Sequence, residues 1–255
     1  MVGKSRSGLA NDRRAYGCNI NCATKSICSS LTTISLVDIA SVESAGWLLN
    51  GNTTLLLCDV LEIPAGQTLL PNGFTLTNNG TINVTGHLRN VGGVTDTSTI
   101  TINNGTINVF STGSIAVSIA AFGALATFTN NGILNNNGDI FCQTFGVINN
   151  TSSGRINNNS ANEGGTGGFR LNPRGTFNNS GVFINNTGAT ITLTSAFDYK
   201  GIIYNYSGGT ITNNGIINNA GTINNANGLS TCGVGTLTGS GTITNTGTIG
   251  TACPP

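Results

Sequence analysis

Between Gly209 and Asn225 the chain reads G-T-I-T-N-N-G-I-I-N-N-A-G-T-I-N-N, with glycine at Gly209, Gly215 and Gly221 and isoleucine at Ile211, Ile217 and Ile223. The beat is six residues. An amphipathic helix would place apolar residues at i, i+3, i+4 and i+7. This run instead sets short β-branched pieces between Asn-Gly or Ala-Gly steps, which predicts strands joined by turns.

The same text recurs upstream as N-N-G-T-I-N-V at Asn78–Val84 and Asn103–Val109, and as N-N-G-I-L-N-N at Asn130–Asn136. Looser copies begin at Gly154, Gly181, Gly209 and Gly241. Taking Ile82, Ile107, Ile133, Ile156, Val182, Ile211 and Ile243 as equivalent core positions gives steps of 25, 26, 23, 26, 29 and 32 residues. A short beat for one strand and turn is thus nested in a longer period for one circuit, the signature of a solenoid. No circuit can bury its apolar side chains alone, so successive circuits must stack, with Ile217 and Ile223 also inward. About seven circuits at ~4.8 Å give a rod about 35 Å long. At the corners, glycine is expected to supply φ > 0, and asparagine to hydrogen-bond backbone or the asparagine one circuit away.

The expected fold class is all-β, a single-stranded right-handed parallel β-helix with an N-terminal cap. A left-handed form also uses hexapeptide beats and stays open beside it. Three segments divide the chain: an arm at residues 1–30, a cap at 31–70 with ordinary apolar runs, and the solenoid with a C-terminal cap at 71–255. An open solenoid exposes strand edges at its ends, so caps are expected. Six of the seven cysteines are candidate disulfide partners: Cys18, Cys22, Cys28, Cys58, Cys232 and Cys253. Cys232 and Cys253 flank the last beat and could close it, with two buried thiols as the alternative. The Cys18, Cys22, Cys28 spacing departs from zinc-site pairs, and disulfides, reduced thiols and half a zinc site all remain readings of it. Cys142, within F-C-Q, reads as core.

Composition narrows the function. Charged residues make up 7% of the chain, against roughly 25% in ordinary soluble proteins. The net charge is +1. Nucleic-acid binding needs massed Lys and Arg, and the only cluster is Lys4, Arg6, Arg13 and Arg14. No nucleic-acid partner is expected. No apolar run reaches the length of a membrane span, and residues 1–21 lack the apolar stretch of a secretory signal.

Catalytic chemistry has little to work with. The repeat region's acids are well separated, the closest pair being Asp139 and Glu163, whose offset of about one circuit would stack them as a carboxylate pair. His87 is the single histidine, so a His-rich metal site is excluded and any Ser-His-Asp arrangement must use it. It is expected in an exposed turn. Neither a catalytic residue nor a cofactor is expected. Asn-x-Ser/Thr sequons begin at Asn52, Asn79, Asn83, Asn104, Asn149, Asn150, Asn158, Asn178, Asn185 and Asn205, a number that so much Asn and Thr produces by chance. Thr-x-Thr or Thr-x-Asn pairs, as at Thr75/Thr77, Thr99/Thr101 and Thr190/Thr192, are expected to face outward around one buried residue.

The N-N-G-T-I-N and N-N-G-I-I-N-N-A-G-T-I-N-N segments, with I-P-A-G-Q-T-L at Ile63–Leu69, resemble Asn/Gly-rich right-handed parallel β-helix proteins of the broad pectin-lyase-like architecture. Similar text occurs in proteins of large DNA viruses and in bacterial surface adhesins. The resemblance covers roughly residues 60–250 and implies a non-enzymatic structural or surface protein of a virion or extracellular fibre, self-associating or binding other coat or fibre proteins. The alternative is a glycan-binding adhesin or tail-spike-like protein. A polysaccharide-degrading enzyme and an ice-binding protein are the remaining readings.

Overall fold

The computed structural model describes residues 30–92, 98–119, 125–161, 167–225, 236–245 and 248–250. Cys18, Cys22, Cys28, Cys232, Cys253 and Glu163 lie outside these ranges, as do residues 1–29 of the segment read as the arm.

Three parallel sheets form the faces of a β-solenoid. The opening beat shows how: Thr210–Asn213 lies on the first face, Ile216–Asn219 on the second and Thr222–Asn225 on the third. Each six-residue stride is one face, and three strides plus a longer corner complete one circuit. The first and third faces hold 9 strands each and the second holds 10, which at ~4.8 Å per strand gives a rod about 40 Å long. The three-faced stack begins with Thr32–Ile34, Gly46–Leu49 and Thr53–Leu55 on the first, second and third faces, upstream of Pro71. A helical turn, Leu36–Ile39, and an antiparallel hairpin of Ala40–Glu43 with Gly46–Leu49 occupy the N-terminal end.

Inward side chains align circuit on circuit. On the first face the column runs Leu61, Ile82, Ile107, Leu134, Ile156, Phe183, Ile211 and Leu237. Ile82, Ile107, Ile156, Ile211, Ile217 and Ile223 are buried, the last two on the second and third faces. Two expected core positions are corrected by one residue. Ile133 is 41% exposed and Leu134 takes its place; Val182 is half-buried beside inward Phe183. The corner glycine sets the count: the second residue after it points inward, and adjacent apolar residues hide that parity. Ile243 is corrected too. It stacks on Ile217 of the second face, while Leu237 continues the column of Ile211. Ile243 is 37% exposed, because no described strand lies beyond it.

Where several phenylalanines meet, one circuit is filled from all three sides. Phe169, Phe177 and Phe183 lie on the second, third and first faces, with centroids 4.9 to 5.2 Å apart. Edge-on and tilted contacts suit the ring quadrupoles.

At the end of seven of the nine third-face strands stands an asparagine. Asn78, Asn103, Asn130, Asn150, Asn179, Asn205 and Asn225 form a ladder, each donating to the carbonyl oxygen of the next at 2.8 Å. The second amide hydrogen goes to backbone one circuit on, as from Asn103 to the Ile133 carbonyl. Asn136, Asn158, Asn185 and Asn213 form a second such ladder after the first face. Side-chain amides thereby satisfy corner backbone that no β-ladder reaches. The corner glycines serve close approach more than left-handed backbone. Gly105 has no positive φ, yet a Cβ on it would sit 2.1 Å from the carbonyl oxygen of Gly80.

Candidate functional site

The second face departs most from the Asn/Thr pattern. Its outer surface carries two adjacent columns, set by parallel register. His87, Ser114, Asp139 and Gly168 make one; Arg89, Ala116, Phe141, Arg170 and Thr192 make the other. Charge that is sparse elsewhere is gathered here, because strands of different circuits bring Arg89, Asp139 and Arg170 to the same face.

His87 begins the strand His87–Gly92 and is half-buried, which corrects its placement in an exposed turn. Its Nδ1 lies 2.8 Å from Ser114 Oγ. Asp139 is on the far side of Ser114, two strands from His87, or about 10 Å. A nucleophilic relay needs the imidazole between serine and carboxylate; here serine is in the middle. Asp139 is held by Arg170, whose Nε donates to Oδ1 at 2.9 Å while Nη2 bonds Oδ2. The planar fork fixes both side chains, and the Arg170 guanidinium also lies 5.3 Å from the centre of the Phe141 ring.

Beside the first column, at the corner leading into the second face, is an open groove of about 650 Å³. His87, Ser114, Asp139, Asn137, Asn159 and Ser160 contribute to its walls. Its lining is mostly amide, hydroxyl and glycine, suited to ligands rich in hydroxyl groups. No three His, Cys, Asp or Glu side chains converge as a metal site among the described residues.

Other expected features fall elsewhere. Cys58 is disulfide-bonded. Cys142 is a buried thiol whose Sγ points to the Thr176 carbonyl at 3.7 Å, and burial pushes its pKa up to about 12. Thr99 and Thr101 face inward, correcting their outward assignment; Thr101 donates to the buried Asn90 at 3.1 Å. Thr190 is also buried. Third-face neighbours of Thr75 and Thr77 are Ile100 and Ile102, so the outward threonines form no continuous hydroxyl array. Sequence reasoning missed the second-face columns. Their signal was the offset of about 25 residues between His87, Ser114 and Asp139, which only strand register turns into adjacency. No helix among the described residues is long and apolar enough to cross a membrane.

No protein family matches the sequence, and no curated protein does. Among solved structures, the chain is similar to a hyper-glycosylated TibA fragment, modified through TibC catalysis, at 18% identity over 78% of this chain and 83% of that one. The TM-score is 0.23, at which the likeness carries no argument about function.

Proposed function

We propose that this protein is a non-enzymatic structural or surface rod, a component of a virion or an extracellular fibre or assembly. The observation that carries the reading is the last described circuit. Ile217 and Ile223 are buried, whereas Ile243 and Ile249, stacked directly on them, are exposed, and among the described residues no strand pairs beyond theirs. Such an end favours continuation by another copy or a coat or fibre protein. Analytical ultracentrifugation and electron microscopy of the full chain test this: end-to-end oligomers or co-assembly with particle proteins are expected, and a monomer that binds none of them at high concentration counts against it. The order His87–Ser114–Asp139, with Asp139 engaged by Arg170, supports the absence of serine-type hydrolysis.

A second reading is glycan binding on the second face. The hydroxyl- and amide-lined groove next to Asp139–Arg170 favours it. An oligosaccharide array probed with the intact protein tests it, and a blank array removes it.

A further inference from the structure

The corner between the second and third faces holds most of the unusual backbone among the described residues. Among the described residues, all five non-glycine residues with positive φ are here: Asn72 (51°) near the start of the stack, then Thr144 (46°), Phe145 (61°), Arg174 (68°) and Phe197 (55°). Strained backbone of this kind persists where surrounding structure enforces it and gathers at functional sites. The enforcement is visible. Thr144 and Phe145 donate from backbone N–H to the carbonyls of Pro173 and Arg174, and Arg174 donates to Lys200, so three successive circuits are hydrogen-bonded through the corner.

On the last of these circuits a hairpin, Ser195–Ala196 paired with Tyr199–Lys200, projects from the rod. Phe197 at its tip is 100% exposed, and Tyr199 and Phe145 are 47% and 40% exposed. Between the latter two lies Arg174. Its guanidinium carbon is 3.3 Å from the Tyr199 ring centre and 4.6 Å from that of Phe145. No carboxylate and no hydrogen-bond acceptor among the described residues engages this guanidinium, although Asp198 is in the hairpin. Stacking holds the plane of the fork, and its N–H edges remain available.

We propose that Arg174 is a carboxylate-recognising subsite for an acidic glycan, one carrying uronic or sialic acid residues. A preoriented planar fork matches a carboxylate in bidentate geometry. Exposed rings of Tyr199 and Phe197 offer apolar faces to the C–H side of a pyranose. Gln143, Asn172 and Thr194 repeat along the same corner, joined by side-chain hydrogen bonds of 3.0 and 3.4 Å, and supply polar groups for sugar hydroxyls. An acidic peptide would meet the same guanidinium but has less use for that amide row. The inference deepens the glycan-binding reading and rests on it.

The test is binding of the full chain to an array of neutral, uronate-bearing and sialate-bearing oligosaccharides, followed by titration with tetragalacturonate, its methyl ester and an oligoglutamate peptide. Wild type is expected to bind the acid at least tenfold more tightly than the ester, with affinity falling as salt rises. Arg174→Gln is expected to lose roughly tenfold and Arg174→Lys several-fold, since lysine keeps charge but not the fork. Arg155→Gln, on the first face, is the control and leaves binding unchanged, and melting curves verify that each variant is folded. Equal binding of acid and ester, or oligoglutamate binding as tight as the uronate, overturns the proposal. An array signal that survives Arg174→Gln overturns the subsite but leaves the groove reading standing; a blank array removes both.

Discussion

Asn130 donates to Asn150 across 2.8 Å of the solenoid's interior, although 20 residues separate them in sequence. Each amide is also engaged by the circuit on its other side, so neither can be removed without stranding two neighbours. Asn130→Ala leaves a donor of Asn103 and the acceptor of Asn150 buried and unpaired. The expected loss is about 2–4 kcal/mol. Asn108→Ala, in a half-buried outer ladder, is expected to cost less than about 1 kcal/mol because water replaces the partner. Chemical denaturation of the two variants side by side measures the difference.

Gly105 is bound to its identity by the circuit beneath it. Alanine there places Cβ against the Gly80 carbonyl, and the corner must open. A loss above about 3 kcal/mol is expected. Gly66, at φ +75° with open space around it, provides the contrast: Gly66→Ala carries only backbone strain, about 1 kcal/mol. Thermal midpoints of the two variants should differ widely.

The packing of Phe177 against Phe169 and Phe183 predicts a graded response. Phe177→Ala should lose about 3–5 kcal/mol through the cavity it leaves. Phe177→Leu fills most of that space and should lose markedly less. Denaturant midpoints check the order.

Cys142 is buried, and burial raises its pKa from 9.0 to about 12. The folded protein therefore holds the thiol proton more tightly than the unfolded chain. The stability this contributes is fully present below about pH 9 and is lost as pH rises from 9 toward 12. Native protein at pH 8 should leave Cys142 unlabelled by a thiol reagent, while denaturant exposes it. Peptide mapping after alkylation reads the result.

The six-residue beat made the three-faced stack legible because every corner needs a small residue for contact with the circuit below and an amide to satisfy its backbone. Gly80, Gly105 and Gly132 announce those corners in the text. The register was less legible. Ile133-Leu134 and Val182-Phe183 each offer two apolar neighbours, and only counting from the glycine reveals which one is inward. The second-face site was barely legible, since His87, Ser114 and Asp139 are ordinary residues until circuits of 27 and 25 residues place them side by side. Corner lengths set those numbers, and corners follow local turn chemistry with no period of their own. The Arg174 sandwich depends on left-handed backbone at residues that rarely adopt it, which no propensity would have signalled.

The buried amide ladders also bear on where such a chain can mature. Asn150, Asn158, Asn185 and Asn205 each open an Asn-x-Ser/Thr sequon, and each has its side-chain nitrogen hydrogen-bonded inside the rod. An oligosaccharide added to that nitrogen during translocation could not be accommodated there, so attachment at these sites and completion of the stack are mutually exclusive fates. The ladder thus works as a record of biosynthetic history: a chain that reached this fold was spared sugar transfer at those four asparagines, whatever its exposed Asn52 and Asn104 carry.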